Sequence, residues 1–321
     1  MARFFGLKSS EFKGKFMKIV FMGTPDYATE ILKGLLAAKF EVCAVFTQPD
    51  KPVGRKQILT PPSVKQFLID KNLQIPIFQP NSLKESEIKE QICKFKPDFI
   101  VVAAYGQILP SDILEIAPCI NLHASILPKY RGASPIQSAV LCGETLSGVT
   151  AMKMGVGLDD GEMLGFSYMD ISDLKSSQIF DEMAKIASNL AVKVLKNYEK
   201  IAPISQIHAL STKCSKIKKE FGEIKFSDNI DEILRKFRAF DFWPNVFLAN
   251  GTKLLEIAKF SSNLHDESEF GKIVNFTQNG FVVAVCGGEL EITKIQESGK
   301  KPLSAKEFSN GKRLKIDDRI C

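Results

Sequence analysis

The 321-residue sequence predicts an α/β protein with a doubly wound, mostly parallel, Rossmann-like sheet, followed by a smaller OB-like β-barrel domain. Three observations lead to this prediction. Residues 17–23 form an apolar, β-rich run that stops at a glycine and leads into a helical pattern. Strand and helix patterns then alternate as far as residue 199. After residue 240 the pattern changes to short strands separated by Gly or Asn turns.

Composition indicates a globular protein of two domains. Hydrophobic residues make up 45% of the chain, which is enough for a sizeable core. No apolar run is long enough to cross a bilayer, so we expect a soluble protein with no membrane partner. The seven cysteines form no Cys-x-x-Cys pair, and most lie in or beside apolar runs. This favours free thiols in the cytoplasm and, with only three histidines, argues against a metal site.

The net charge of +6 is not concentrated in one domain. Residues 206–321 contain 19 Lys and Arg against 16 Asp and Glu. A nucleic-acid partner would therefore need a local basic stripe.

Four segments are predicted along the chain. Residues 1–16 are basic and aromatic but lack an apolar signal core, which predicts a disordered extension. Residues 17–204 form the larger domain and residues 205–220 a linker without periodicity. Residues 221–321 form the OB-like domain, a fold that often binds single strands or tRNA but also serves only for packing or dimerisation.

The larger domain opens with a strand, a glycine and a helix. The dinucleotide fingerprint Gly-x-Gly-x-x-Gly is absent, which disfavours a nucleotide-dependent oxidoreductase. The predicted elements are strand 17–23, helix 27–38, strand 41–48, helix 63–72, strand 75–78, helix 83–95, strand 97–106, a helical turn near 111–116, strand 120–125, a helix from 134–135 to about 142, a hairpin of strands 148–154 and 163–171, and helix 177–199.

A long proline-rich loop, residues 49–62, interrupts this alternation after the second strand. It carries Lys51, Arg55 and Lys56. Loops of this length in a compact domain are usually functional or mobile, but a solvated connection explains the pattern equally well.

The strand at 120–125 ends in polar residues. Asn121 and His123 are two residues apart and therefore point to the same face of the strand. An irregular loop follows, at the end of a strand where ligands are usually bound. Hydrogen bonding at a strand end would explain a single histidine, but the amide and the nearby hydroxyl of Ser125 favour a site.

A carboxylate completes a candidate catalytic group. Asp159 lies in the glycine-rich turn of the predicted hairpin, which the sheet can bring to His123. An amide donor, an imidazole and a carboxylate suit acyl-type transfer to an amine: Asn121 would stabilise the oxyanion, and the imidazole would accept a proton. Ser125 lacks the Gly-x-Ser-x-Gly elbow of a serine nucleophile, so it is predicted to bind ligand.

Longer motifs resemble those of the folate-dependent formyltransferases, and in particular the members that act on tRNA. The resemblance runs from residue 17 through nearly the whole chain. Its motifs are Phe-Met-Gly-Thr-Pro-Asp at 21–26, Thr-Gln-Pro-Asp-Lys-Pro-Val-Gly-Arg at 47–55, Ala-Tyr-Gly at 104–106, Asn-Leu-His-Ala-Ser-Ile-Leu-Pro at 121–128, Tyr-Arg-Gly at 130–132, Gly-Leu-Asp-Asp-Gly at 157–161, Arg-Ala-Phe at 238–240 and Trp-Pro at 243–244.

The resemblance implies that a formyl group passes from the co-substrate 10-formyltetrahydrofolate to the α-amino group of methionyl initiator tRNA, for translation initiation. It also implies a cytoplasmic enzyme without a metal, and we expect a monomer. The residues it implies are Asn121, His123 and Asp159 for catalysis, Ser125, Ile126, Leu127 and Pro128 for folate binding, and Arg55 and Lys56 for tRNA binding, with the barrel binding the same tRNA arm.

Two further hypotheses remain open. A formyltransferase acting on glycinamide ribonucleotide or an amino-sugar nucleotide, or a formylfolate hydrolase, would keep the same trio. Such an enzyme would not need the loop at 49–62 together with a barrel. A non-catalytic RNA-binding module built on an inactive enzyme is disfavoured by the intact trio.

Overall fold

A computed structural model describes residues 17–54 and 56–320. The predictions for residues 1–16 and for Arg55 lie outside these residues. Contacts divide the chain into two compact units, and neither unit is continuous in sequence. Of the described residues, 17–132, 147–169 and 180–213 belong to the first unit, and 133–146, 170–179 and 214–320 to the second.

The described residues between 17 and 200 alternate between strands and helices, as their pattern predicts. The strands are β1 (Lys18–Gly23), β2 (Glu41–Phe46), β3 (Lys51–Val53), β4 (Ile58–Thr60), β5 (Ile77–Phe78), β6 (Phe99–Ala103), β7 (Cys119–His123), β8 (Arg131–Gly132), β9 (Leu146–Lys153) and β10 (Met163–Asp170). The helices are α1 (Asp26–Ala37), α2 (Ser63–Asp70), α3 (Ser86–Phe95), α4 (Ser111–Leu114), α5 (Pro135–Leu141) and α6 (Ser176–Asn197).

Seven of these strands form one sheet in the order β10-β9-β7-β6-β1-β2-β5. Strand β1 pairs in parallel with β2 and β6, and β7 pairs in parallel with β6. Strand β9 is antiparallel to β7. The chain thus builds outward from β1 in both directions, which confirms the doubly wound, mostly parallel sheet.

Burial explains why these strands form the centre of the sheet. All five residues of β6 are buried, as are the last five of β1, because central parallel strands are covered on both faces. The carboxyl ends of β1, β6 and β7 therefore share one edge, which brings the end of β7 to the place where ligands bind in open α/β sheets.

The loop at 49–62 is more regular than its composition suggests. Strands β3 and β4 pair antiparallel within it and form a hairpin, with Val53 opposite Ile58. Pro52 lies within β3 opposite Leu59, and a proline is tolerated there because each strand of a two-stranded sheet has a free edge.

The second unit is rich in β-structure, which confirms the predicted change of pattern. Strand β11 (Lys213–Cys214) spans the boundary between the two units in sequence. The later elements of the second unit are α7 (Ile230–Ala239), β12 (Val246–Phe247), β13 (Lys253–Ser261), β14 (Ile273–Phe276), β15 (Phe281–Val285), β16 (Gly288–Gln296), β17 (Leu303–Ser304) and α8 (Ala305–Lys312). The antiparallel sheet has the order β12-β13-β16-β15-β14, with β17 beside β16. Leu254, Phe281 and Ile292 are fully buried in its core.

Neither β17 nor α8 is predicted from the sequence. The signal for α8 is a capping box: the Ser304 hydroxyl accepts from the Glu307 amide, and the Glu307 carboxylate accepts from the Ser304 amide. Among the described residues, none of the helices has both the length and the apolarity that crossing a bilayer requires.

Candidate active site

Strand β7 is an interior strand of the first unit's sheet, and it carries Asn121 at its middle and His123 at its carboxyl end. Its neighbour β9 fixes their register, because Asn121 lies opposite Met152 and His123 opposite Thr150. The His123 side chain is only 6% exposed. The two-residue spacing therefore places both polar groups on the same face of β7, as predicted.

The loop between β9 and β10 brings Asp159 to these residues. One carboxylate oxygen, Oδ1, lies 3.4 Å from Asn121 Nδ2, although the two residues are 38 apart in sequence. The other, Oδ2, lies 3.7 Å from His123 Nδ1 and accepts a 2.8 Å hydrogen bond from the Gly132 amide. The structure thus brings the three predicted side chains together.

Local backbone geometry directs the Asp159 carboxylate. Asp159 has a φ of 49°, a left-handed conformation that Asp tolerates better than most residues. Gly161 is required two residues later, because a Cβ there would lie 1.8 Å from the Lys153 carbonyl oxygen. The adjacent acid points elsewhere: Asp160 Oδ2 would lie 1.9 Å from a Cβ placed on Gly157.

A carbonyl group determines which nitrogen of His123 carries hydrogen in the neutral ring. His123 Nε2 lies 2.9 Å from the carbonyl oxygen of Tyr130, which can only accept. Nε2 therefore donates, and Nδ1 is the nitrogen with a free electron pair. This nitrogen faces Asp159, so a proton accepted there would form an imidazolium beside a carboxylate.

The loop after β7 is held by internal hydrogen bonds. The Ser125 hydroxyl donates to the Lys129 carbonyl at 2.7 Å and is fully buried. Leu127 is also buried, whereas Ile126 and Pro128 are partly exposed. The structure thus uses Ser125 inside the loop and leaves Ile126 and Pro128 as its accessible apolar surface. Folate binding by these four residues stays a prediction.

The Thr150 side chain also holds this loop, and replacing it tests how much this contact contributes to the stability of the protein. Its hydroxyl donates to the Ser125 carbonyl at 2.7 Å and accepts from the Leu127 amide at 3.0 Å. We expect Thr150→Val to lower the free energy of unfolding by about 2 kcal/mol, because two buried backbone groups lose their partner. Urea denaturation measures this loss, and Thr60→Val, at an exposed threonine, is the control. An equal loss in both variants would contradict the assignment.

Gln206 is a site residue that the sequence analysis missed. It falls in the predicted linker, where a single glutamine gives no signal, yet its side chain is buried. Its amide donates to the backbone carbonyls of Asp159 and Gly161 at 2.9 and 2.7 Å. Its oxygen accepts from Nε and Nη2 of Arg131, at 3.0 and 2.7 Å.

The hairpin predicted to bind tRNA projects exposed side chains. Lys51 and Lys56 are both exposed, as are the apolar side chains of Val53, Ile58 and Leu59. Polar contacts anchor the residue that precedes the hairpin, because Asp50 binds Lys65 at 2.8 Å and Gln79 at 2.7 Å. Hydrogen bonds from Gln79 and Lys65 hold the pKa of Asp50 below its usual value, so this anchor stays ionised at neutral pH.

The cysteine nearest the trio in sequence is chemically inert. Cys119 begins β7, and burial raises the pKa of its thiol to about 12. The thiol is therefore protonated at neutral pH and is not a nucleophile. In the part of the chain that the structure describes, no cluster of His, Cys, Asp and Glu side chains has an arrangement that could hold a metal ion.

Comparison with known proteins gives two matching families, which together span most of the chain. A model described as formyl transferase matches residues 17–195, and one described as formyl transferase, C-terminal domain, matches residues 216–313. A methionyl-tRNA formyltransferase from Campylobacter hominis is 62% identical over 304 residues, covering 95% of this chain and 100% of that protein.

Solved structures of lower identity share the fold. HypX from Aquifex aeolicus, in complex with tetrahydrofolic acid, gives a TM-score of 0.64 at 15% identity and covers 95% of this chain and 49% of that chain. The sugar 3N-formyl transferase WlaRD, in the presence of dTDP and 5-N-formyl-THF, gives 0.63 at 21% identity, covering 90% and 100%. At these identities the likeness concerns the fold alone.

Proposed function

This chain belongs to the formyl transferase family, and we propose that it transfers the formyl group of 10-formyltetrahydrofolate to the α-amino group of methionyl initiator tRNA. The observation that carries the choice of acceptor is the identity with the methionyl-tRNA formyltransferase of Campylobacter hominis across almost the whole chain. The product, formyl-methionyl-tRNA, serves translation initiation, so the proposed location is the cytoplasm.

Asn121 is proposed to stabilise the transition state. When the amine attacks the formyl carbon, negative charge develops on the formyl oxygen, and an oriented amide N–H stabilises it. The Asn121 amide is fixed on one side by its contact with Asp159, which leaves its second N–H to donate. Partly exposed Ile126 and Pro128 fit an apolar co-substrate surface beside it.

His123 and Asp159 are proposed to move the proton that the reaction releases. The attacking amine becomes positively charged as the new C–N bond forms, and Nδ1 of His123 accepts its proton. The bond between the formyl carbon and N10 of the folate then breaks, and that proton passes to N10 as tetrahydrofolate leaves. The Asp159 carboxylate stabilises the resulting imidazolium across the 3.7 Å contact. Both side chains are shielded from water, since they are 6% and 12% exposed, so the charge interaction is only weakly screened.

A formylation assay tests the proposed function. The full chain is incubated with 10-formyltetrahydrofolate and methionyl initiator tRNA, and the amino acid released from the tRNA is analysed by mass spectrometry. We expect formyl-methionine from the tRNA and no formylation of an amino-sugar nucleotide offered in parallel. Transfer to the sugar alone would move the assignment to a small acceptor, and binding of the donor without any transfer would favour an inactive relative.

The hairpin of β3 and β4 is proposed to contact tRNA phosphates. We expect Lys51→Ala and Lys56→Ala each to weaken tRNA binding and to reduce the slope of log affinity against log salt by about 1, because each removes one phosphate contact. Filter binding across a salt series measures both quantities. Lys71→Ala, at an exposed lysine after α2, is the matched control. An equal effect there would show that the hairpin lysines make no specific contact with tRNA phosphates.

The proposed active form is a monomer. Asn121, His123 and Asp159 all come from one chain, and the Asp159 carboxylate lies 3.4 Å from the Asn121 amide and 3.7 Å from His123 Nδ1. Light scattering during the assay checks this, and activity confined to a dimer would contradict it.

A further inference from the structure

A ring of hydrogen bonds surrounds Asp159. On its side-chain face, the Gly132 amide donates to Oδ2 at 2.8 Å. On its backbone face, Gln206 Nε2 donates to the Asp159 carbonyl at 2.9 Å. Gln206 in turn binds Arg131, the residue next to Gly132, so the ring closes.

Two buried polar side chains form the part of this ring that contacts the backbone of the Asp159 loop. Gln206 is 6% exposed and Arg131 is 7% exposed. Buried groups of this kind hold a fixed arrangement, since losing one partner leaves the others unsatisfied in a medium of low dielectric constant. The fork of the guanidinium fixes the plane of the Gln206 amide, and that amide spans the carbonyls of Asp159 and Gly161.

Hydrogen bonds on both sides of Asp159 determine where its carboxylate points. The residue has a left-handed φ of 49°, a conformation that Asp adopts at single positions where local hydrogen bonds support it. Its carboxylate lies 3.4 Å from the Asn121 amide and 3.7 Å from the imidazole, so a small rotation of the loop would break both contacts. Misplacement of a catalytic group by about 1 Å can cost about 10²-fold in rate.

We propose that Gln206, oriented by Arg131, is a positioning residue of the active site, which holds the Asp159 carboxylate against His123 and Asn121. The segment around residue 206 is then part of the catalytic machinery and not only a linker. This inference rests on the catalytic role proposed for Asp159.

Two variants distinguish the hydrogen bonds that Gln206 donates to the loop from those that it accepts from Arg131. Gln206→Met keeps the size of the side chain and loses all four hydrogen bonds. Gln206→Glu keeps an acceptor for Arg131 and loses both donors to the loop, so it remains informative if the first variant fails to fold. We expect both to lower kcat by about ten- to a hundredfold with KM for each substrate changed less than threefold.

An NMR signal reports the position of the carboxylate without any substrate. The Gly132 amide proton is hydrogen-bonded to Asp159 Oδ2 and should resonate downfield. We expect both Gln206 variants to move this signal upfield. Gln107→Met is the matched control, because Gln107 also braces a loop through two backbone bonds, to Leu83 and Pro80, and makes none to the Asp159 loop.

A double variant distinguishes positioning from general damage. If Gln206 acts through Asp159, Gln206→Glu combined with Asp159→Asn should be no slower than Asp159→Asn alone, within about threefold. Multiplied losses in the double variant would overturn the inference, as would a folded Gln206→Glu protein with wild-type kcat and an unmoved Gly132 signal. A wild-type protein that formylates no methionyl-tRNA would refute the proposed function, whereas the Gly132 signal would still decide whether Gln206 places Asp159.

Discussion

His123→Ala is expected to lower the single-turnover rate of formyl transfer by about 10³-fold, with little change in tRNA affinity. General base catalysis by a positioned imidazole typically contributes about 10²–10⁴-fold. Here the Tyr130 carbonyl holds Nε2 as a donor and leaves Nδ1 as the basic nitrogen of the ring. The measurement is rapid-quench formylation of methionyl-tRNA at saturating formyl donor.

The third histidine of the chain provides a control for this variant. His265 lies in the second unit, where Nε2 contacts Glu289 at 2.9 Å and Nδ1 contacts Glu269 at 3.3 Å. We expect His265→Ala to leave the transfer rate within about twofold of wild type, because its two contacts are with carboxylates of its own unit, which contains none of the trio. A His123→Ala enzyme within tenfold of wild type would show that another group accepts the proton.

Asp159→Asn is expected to lower the same rate by about 10²–10³-fold. Asparagine keeps the size of the side chain and an oxygen that accepts from the Gly132 amide, but it removes the negative charge 3.7 Å from His123 Nδ1. At an effective dielectric constant of about 20, that charge stabilises an imidazolium by about 4 kcal/mol, which corresponds to about 10³-fold. Rapid-quench formylation measures the effect.

Asp160→Asn is the matched control for Asp159→Asn, because it makes the same chemical change one residue away. The Asp160 carboxylate folds toward Gly157 within its own loop. Its neutralisation should therefore change the rate by less than about fivefold. A larger loss from Asp160→Asn than from Asp159→Asn would show that Asp160, and not Asp159, supplies the catalytic carboxylate.

The sequence predicts the centre of the fold and the trio because both depend on strong local patterns. Short apolar runs rich in Ile, Val and Phe, such as β1 and β6, favour buried strands. A two-residue spacing on a strand fixes the shared face of Asn121 and His123. The glycines around Asp159 indicate a sharp turn, and the antiparallel return through β9 brings that turn to β7.

Features that depend on long-range contacts could not be predicted in this way. Nothing near Gln206 distinguishes it from a linker residue, since its burial comes from Arg131 and the Asp159 loop, which are distant in sequence. The grouping of residues 133–146 and 170–179 with the second unit likewise arises from packing and not from composition. The hairpin at 51–60 could not be predicted because its prolines favour a loop. In the structure, Gly54 at a φ of 72° permits the turn.

The most direct test of convergence at the trio is the single-turnover formylation rate of the His123→Ala, Asp159→Asn double variant beside the two single variants. If the imidazole and the carboxylate act as one proton-transferring unit, the double variant should be slower than His123→Ala by no more than about tenfold. Losses that multiply, so that the double variant falls by the product of the two single effects, would mean that the two groups act independently and would contradict the account.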